Sequence, residues 1–312
     1  LFDWVLSRSL SRFLYIVQMK KALTQLHIAV VLAGFTGILG SLIQLNEIWL
    51  VWYRIAITVV TLLLAALILK QSVRISFAQC GKLMGIGSII ALHWVFFYGS
   101  IKLSNVSIGL ICFASVGLFT SIFEPLFNKT PFAPAEMLLG LMSLSGIYII
   151  FHFDTRYQTG IIMGTLSSIL AAIFSVFNKR TVSQTAPRLI QLYEMAGGLL
   201  VLTILMPLYL HYFPSGNRIP TLMDIGWLML LSWACTIWAM DLMLKSLQHI
   251  SAFTQTLTLN LEPVYGIGMA WLFFKENEQL NTSFYWGFSL IALSVAIQMY
   301  RVNKKSAPIT PH

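Results

Sequence analysis

Apolar runs of about 18–24 residues follow one another along most of the chain, each long enough to cross a hydrocarbon core of about 30 Å. Short polar breaks separate them: QLNE, KQSVRISFAQCGK, NKTPFAP, DTRYQ, NKRTVSQTAPR, FPSGNRIP and KENEQLN. The pattern predicts ten helices, near 23–43, 48–69, 83–101, 106–127, 135–151, 160–178, 189–210, 222–244, 251–274 and 284–301. The fold class expected is therefore an all-α polytopic membrane protein with ten transmembrane helices. Residues 1–18 are weakly amphipathic, carry Arg8 and Arg12, and are too short and polar to span. They lack a signal-peptide cleavage site. Met19-Lys20-Lys21 reads as a start, with 1–18 as a surface or disordered extension.

Composition agrees with a lipid solvent. Residues of the AVILMFWYC set make up 57% of the 312, charged residues 10%, and mean hydropathy is +0.79. A soluble domain carries about a quarter charged residues. Cys80 falls in a polar loop, Cys112 and Cys235 in apolar runs. No CxxC or zinc spacing is present, so neither a disulfide framework nor a metal or cofactor site is expected.

The net charge of +9 would invite a nucleic-acid reading, but its distribution answers to topology. With the N-terminus inside, alternating the spans puts 15 basic residues on the inner side and 5, namely Arg54, Lys102, Arg156, Arg218 and Lys275, on the outer. Cytoplasmic loops carry the excess of Lys and Arg. Both termini are placed in the cytoplasm, the lipid bilayer is the partner, and nucleic acid is not.

Five spans followed by five invite a search for repetition. Trp94 precedes Leu103 and Val106-Ser107 as Trp238 precedes Leu247 and Ile250-Ser251; Gly140 matches Gly287; Tyr53-Arg54 aligns with Tyr193-Glu194. The offsets of 144, 147 and 140 keep a consistent order. Because each half holds an odd number of spans, the second half is inverted relative to the first. Inverted repeats put a substrate site near the midplane between the halves. The expected division is 19–157 and 158–303, each a five-helix repeat, with 304–312 as a cytoplasmic tail.

The end of each half carries a resemblance. LFTSIFEPLF with MLLG at 118–140, and NLEPVYGIGMAWLFFKENEQL with Gly287 at 260–287, resemble EamA-type members of the drug/metabolite transporter superfamily over roughly residues 20–303. One departure stands out: the acidic residue usual after the fourth helix is replaced by Asn128-Lys129-Thr130-Pro131. The resemblance implies a secondary exporter in the bacterial inner membrane.

Polar residues inside spans supply the candidate site. Ser251, Thr254, Gln255, Thr258 and Glu262 recur at three- and four-residue steps and form one stripe. Asn260 lies off it. Glu262 falls roughly 16 Å into its span, where a charged carboxylate costs about 2.5–3.5 kcal/mol on insertion scales. Pro263 beside it removes a helical hydrogen bond and should kink the helix as a hinge. Such a pair suits the binding of a proton or of a substrate amine. The competing explanation is a protonated Glu bonded to a neighbouring helix. His93, Trp94, Trp238 and Ser115 complete the candidates, each weighed against a packing role. Arg54 is expected to snorkel outward, and Asp241 to pair with Lys245 one turn on. The sequence reads as a secondary transporter of small amphiphilic metabolites such as amino acids, with protons as the candidate coupling ion. A membrane-embedded enzyme or a non-transporting assembly protein is the alternative. No P-loop appears, so transport is read as independent of ATP, and the enzyme reading lacks a GxSxG elbow, an HExxH pair and a paired-aspartate site.

The charge sorting places the Lys70–Lys82 loop inside. Cys80 should resist a membrane-impermeant thiol reagent in intact cells and react in inverted vesicles; the opposite pattern would reverse the orientation.

Overall fold

The computed structural model describes residues 2–129, 131–213, 216–259 and 261–306. Thirteen α-helical segments make the passes: α1 (Phe2–Leu42), α2 (Glu47–Ile68), α3 (Phe77–Leu103), α4 (Val106–Phe113), α5 (Val116–Asn128), α6 (Pro134–Phe153) and α7 (Gln158–Thr181). There follow α8 (Pro187–Tyr212), α9 (Leu222–Ser232), α10 (Ala239–Leu247), α11 (Ala252–Leu259), α12 (Glu262–Phe274) and α13 (Thr282–Ser306). A π-helical stretch, Trp233–Trp238, joins α9 to α10. Among the described residues there is no strand, only an isolated bridge between Leu45 and Asn217. Eight passes are long and apolar enough to cross a membrane. The broken pass α11–α12 and the final helix α13 bring the helices to the ten expected.

The polar breaks carry the chemistry that starts and stops these helices. Asn46, Ser76 and Asn105 each accept the backbone N–H three residues on, from Trp49, Gln79 and Ile108. Thr221 and Asp224 form a reciprocal capping box at α9. Pro134 and Pro187 open α6 and α8, where a missing N–H costs nothing. Lys129 and Lys275 end α5 and α12 in the left-handed region, each at φ 54°.

Several features depart from the sequence expectation. Of the two readings of the N-terminal extension, the disordered one gives way to helix: residues 2–18 are the first part of α1. The kink expected at Pro263 is a full break between α11 and α12, and the fourth pass is broken too, at Ala114-Ser115. The π stretch has no counterpart in the hydrophobic pattern. Helix α3 also begins six residues before its expected start, because Ser76 caps it inside the polar loop.

Between helices the hydrophobic effect does little in lipid, so close packing and hydrogen bonds hold the bundle. Glycines set the closest approach. A Cβ at Gly87 of α3 would collide with the Glu194 carbonyl of α8, and one at Gly197 with the Met84 backbone. Gly146 and Gly287 bring α6 and α13 together in the same way, beside a hydroxyl bond between Ser143 and Ser294 at 2.5 Å. The outer surface is apolar: Leu64 and Leu67 of α2, Ile204 and Leu208 of α8, and Leu272 and Phe273 of α12 are exposed. On a soluble protein such a belt would mark an interface; here it meets acyl chains.

Each end of the bundle is cross-linked separately. At the end holding Val106, Gln44 N–H donates to Asp224 (2.9 Å) and Lys102 to the Ile43 carbonyl (3.0 Å). In the α6–α7 loop, Arg156 grips Asp154 through Nε and Nη2 (2.9 and 2.8 Å) and reaches the Gln279 carbonyl. That grip holds the Asp154 carboxyl below the usual carboxylate range. Its contribution to stability is therefore present above the unfolded Asp pKa of about 3.9 and lost as pH falls through the lower folded value. At the opposite end, Tyr193 donates to the Val73 carbonyl (2.7 Å) and Gln248 to that of Val182 (3.2 Å). The expected Lys245–Asp241 pair forms at 2.5 Å.

The glycine contacts give a direct test. Gly87→Ala should destabilise the detergent-purified protein by about 1–3 kcal/mol. Gly85→Ala, on the same helix with nothing within 4 Å, should leave the melting temperature unchanged or higher. Equal behaviour of the two would deny α3–α8 contact its role.

Candidate functional site

An internal cavity of about 110 Å³ lies between α1, α2, α3, α7, α10 and the two broken passes. A buried water needs roughly 10–15 Å³ by the same measure, so the space suits a few waters or part of a small solute. Most of its wall is apolar and aromatic: Trp94 and Phe97 from α3, Phe113 from α4, Phe174 from α7, and Met240 and Met243 from α10. The polar groups are few. They are Arg54, Glu262, Gln255, His93, Ser175 and Asn178, with Thr36 and Cys235 beside them.

Glu262 reaches the cavity because the ninth pass stops and restarts there. Pro263 has no N–H to give to the preceding turn, and α12 begins at Glu262 with its first turn closed by Val264 N–H to the Leu261 carbonyl (3.0 Å). The side chain is thus buried at the positive end of a half-helix, a position that favours negative charge. Its carboxyl can hold either a proton or the counter-charge of a bound cation. The stripe expected on this pass divides. Gln255 faces the cavity, accepting from Ser175 (3.1 Å) and donating to the Met243 carbonyl (3.0 Å). Thr258 is buried but spends its hydroxyl on the Thr254 carbonyl of its own helix (2.9 Å). Ser251 caps α11 through the Thr254 N–H (3.0 Å). Asn260 lies outside the described residues.

The other candidates sort by their partners. His93 lines the cavity, yet its Nδ1 is engaged by the Ser167 carbonyl (2.9 Å) and hydroxyl (2.8 Å). A carbonyl only accepts, so that nitrogen carries the proton, and the ring packs on Phe97 and Phe113. Ser115 is fully buried and bonds the Cys112 carbonyl (2.7 Å), tightening the break of the fourth pass away from the cavity wall. Trp94 lines the cavity as expected. Trp238 does not: it is 53% exposed on the outside. The π turn holds more residues than an α turn, which rotates the following positions about the axis and turns Thr236 inward in place of Trp238.

The largest correction concerns Arg54. It does not snorkel; it is 1% exposed and points inward. Its guanidinium stacks on Trp94 at 3.8 Å and donates to Thr236 Oγ1 (2.7 Å), Tyr98 Oη (2.8 Å) and the Cys235 carbonyl (3.3 Å). Two of these acceptors belong to the π stretch, which explains why depth alone misled. The π stretch turns the Thr236 hydroxyl and the Cys235 carbonyl to the guanidinium.

Glu276 was visible in the sequence only as part of an acidic loop. It is buried, and its carboxylate accepts from Val106 N–H (3.0 Å), Ser107 N–H (2.8 Å) and the Ser107 hydroxyl (2.6 Å). With Ile108 N–H given to the Asn105 side chain and Gly109 N–H to its carbonyl, all four leading amides of α4 are satisfied. At the other end of the bundle Lys179 donates to the carbonyls of Leu247 (2.7 Å) and Ile250 (2.5 Å). Thr130, in the segment that the repeat reading sets opposite this loop, lies outside the described residues.

Comparison with known proteins now bears on this arrangement. The model of the EamA-like transporter family matches residues 158–300. No curated protein matches the sequence. A solved crystal structure of a protein superposes with a TM-score of 0.64 at 14% identity, covering 92% of this chain and 99% of that one; it shares the fold. Residues 158–300 are thus similar to the EamA-like transporter family, and the eight apolar passes are those of a multi-pass membrane protein.

The two tryptophans should now separate. Trp94→Ala removes a buried ring beneath Arg54 and should cost about 3–5 kcal/mol of stability. Trp238→Ala should stay within about 0.5 kcal/mol. Thermal unfolding in detergent reads both, and equal losses would contradict the inward and outward placement.

Proposed function

We propose that the chain is a secondary active transporter that exports small amphiphilic metabolites, amino acids among them, by alternating access between two inverted five-helix halves. The observation that carries this reading is Glu262: a buried carboxyl at the start of a half-helix, facing an internal cavity. A charge at that depth is costly and is retained where a proton or a ligand can neutralise it. Broken helices that turn their ends toward a shared cavity are the usual way a secondary transporter builds its site.

Two further parallels support the reading of the chain as two repeats. The fourth and ninth passes both break, at Ala114-Ser115 and between Leu259 and Glu262, and both finish in a left-handed lysine, Lys129 and Lys275. The charge sorting assigns the Glu276 end to the outside and the Lys179 end to the cytoplasm of a bacterial inner membrane. A proton entering from outside and a substrate ammonium from inside would then compete for Glu262, which couples the two fluxes. The apolar lining accommodates the substrate's side chain.

A thermal-shift screen of the purified protein against amino acids and aromatic metabolites identifies the ligand: saturation at 100 times Kd should add about 2.7 kcal/mol to native stability. Stabilisation by nucleotides alone would argue against the reading. With the ligand in hand, Glu262→Gln keeps the side chain's shape and hydrogen bonding while removing titration. It should insert normally and lose pH-dependent uphill transport in proteoliposomes. Unchanged uphill transport with an unchanged pH profile would leave Glu262 as structure.

A further inference from the structure

Arg54 is a full positive charge inside the bundle, 1% exposed, on the wall of the cavity that holds Glu262. Its three bonded acceptors, the Thr236 and Tyr98 hydroxyls and the Cys235 carbonyl, are all neutral. Among the described residues no carboxylate comes within ion-pair distance; the close pairs are Arg156–Asp154 and Lys245–Asp241. A buried cation whose hydrogen-bond partners are all neutral is costly, and a fold that keeps one has positioned it with care. Thr236 fixes Nε, Tyr98 fixes one terminal nitrogen, and Cys235 the other. The ring of Trp94 fixes the plane. A guanidinium has five N–H donors, so each terminal nitrogen keeps one beyond the bond it already makes.

We infer that Arg54 binds the carboxylate of the transported molecule, so that the substrate class is small monocarboxylates with an apolar or aromatic body, zwitterionic amino acids foremost. This rests on the transport reading of the same cavity. A planar, preorganised fork matches a carboxylate better than a point charge would. One arginine neutralises one negative charge; a phosphate dianion would keep an unpaired charge in a wall that is otherwise aromatic and faces Glu262. A zwitterion leaves no charge unpaired: its carboxylate meets Arg54, its ammonium meets Glu262, and its side chain meets Trp94, Phe97, Phe113 and Phe174.

The test is competitive counterflow in proteoliposomes holding the full chain. The external solutes are three matched sets built on phenylalanine and leucine: the amino acids, the amines that lack the carboxylate, and the acids that lack the amine. Mass spectrometry reads which enter. Wild type should move the amino acids over the amines by at least about tenfold. Arg54→Lys, which keeps the charge and loses the fork, and Arg54→Gln should each cut that ratio by about tenfold or more. The ratio is taken within one preparation, so it does not depend on the folded fraction. Should Arg54→Gln not fold, Thr236→Val removes one positioning bond and should lower the same ratio. Amines moving as well as amino acids, or a ratio unchanged in the variants, would overturn the role of Arg54 and leave the transporter reading standing. No flux of any set through the wild type would overturn both.

Discussion

In hydrocarbon a backbone N–H or C=O has no water to turn to, so each one exposed by an interrupted helix must find a partner inside the protein or face a polar cavity. That requirement governs where this chain can break its helices. The fourth pass tightens at Ser115, whose hydroxyl and N–H both go to the Cys112 carbonyl. The ninth pass breaks at Pro263, which has no donor to leave stranded, and Leu261 N–H bonds back to Thr258. The eighth pass widens into a π turn whose carbonyls serve Gln191 and Arg54. Each irregularity borders the cavity, and each is compensated within the protein, two of them by their own pass and the π turn by neighbouring ones.

The same requirement ties Arg54 to the π stretch. The arginine needs neutral acceptors at its own depth, and the π stretch presents two, the Thr236 hydroxyl and the Cys235 carbonyl. Neither feature makes sense alone. Ser232 and Thr58 further bond the Arg54 carbonyl (3.0 and 2.8 Å), anchoring the backbone beneath the charged head. Glu262, by contrast, is placed by a helix terminus, so the cavity's two charges are positioned by different devices and on different passes.

Much of this was legible in the sequence. Span number, the Asp241–Lys245 pair and the inward Glu262 and Trp94 all follow from local pattern or depth. What escaped depended on geometry between helices. Arg54 was misread because depth from the membrane surface says nothing of which face a residue occupies. Trp238 departs from the expectation because a π stretch changes the helical phase of the residues within and beyond it, and WACTIW carries no mark of one. Thr258 and Ser115 have the right depth and the wrong partners: a short hydroxyl reaches its own helix first. Glu276 was seen as loop acidity, whereas its partners lie far back in the chain.

That last separation has a consequence for biosynthesis. Val106 and Ser107 receive their cap from a residue 170 and 169 positions later. At a ribosomal rate of about 5–20 residues per second, helix α4 emerges roughly 10–30 s before Glu276 exists. Until then its leading amides rely on water and lipid headgroups at the membrane surface. The first half therefore cannot reach its final form as an independent insertion product. It waits in the bilayer with one helix end open, and the arrival of the second half's loop completes it.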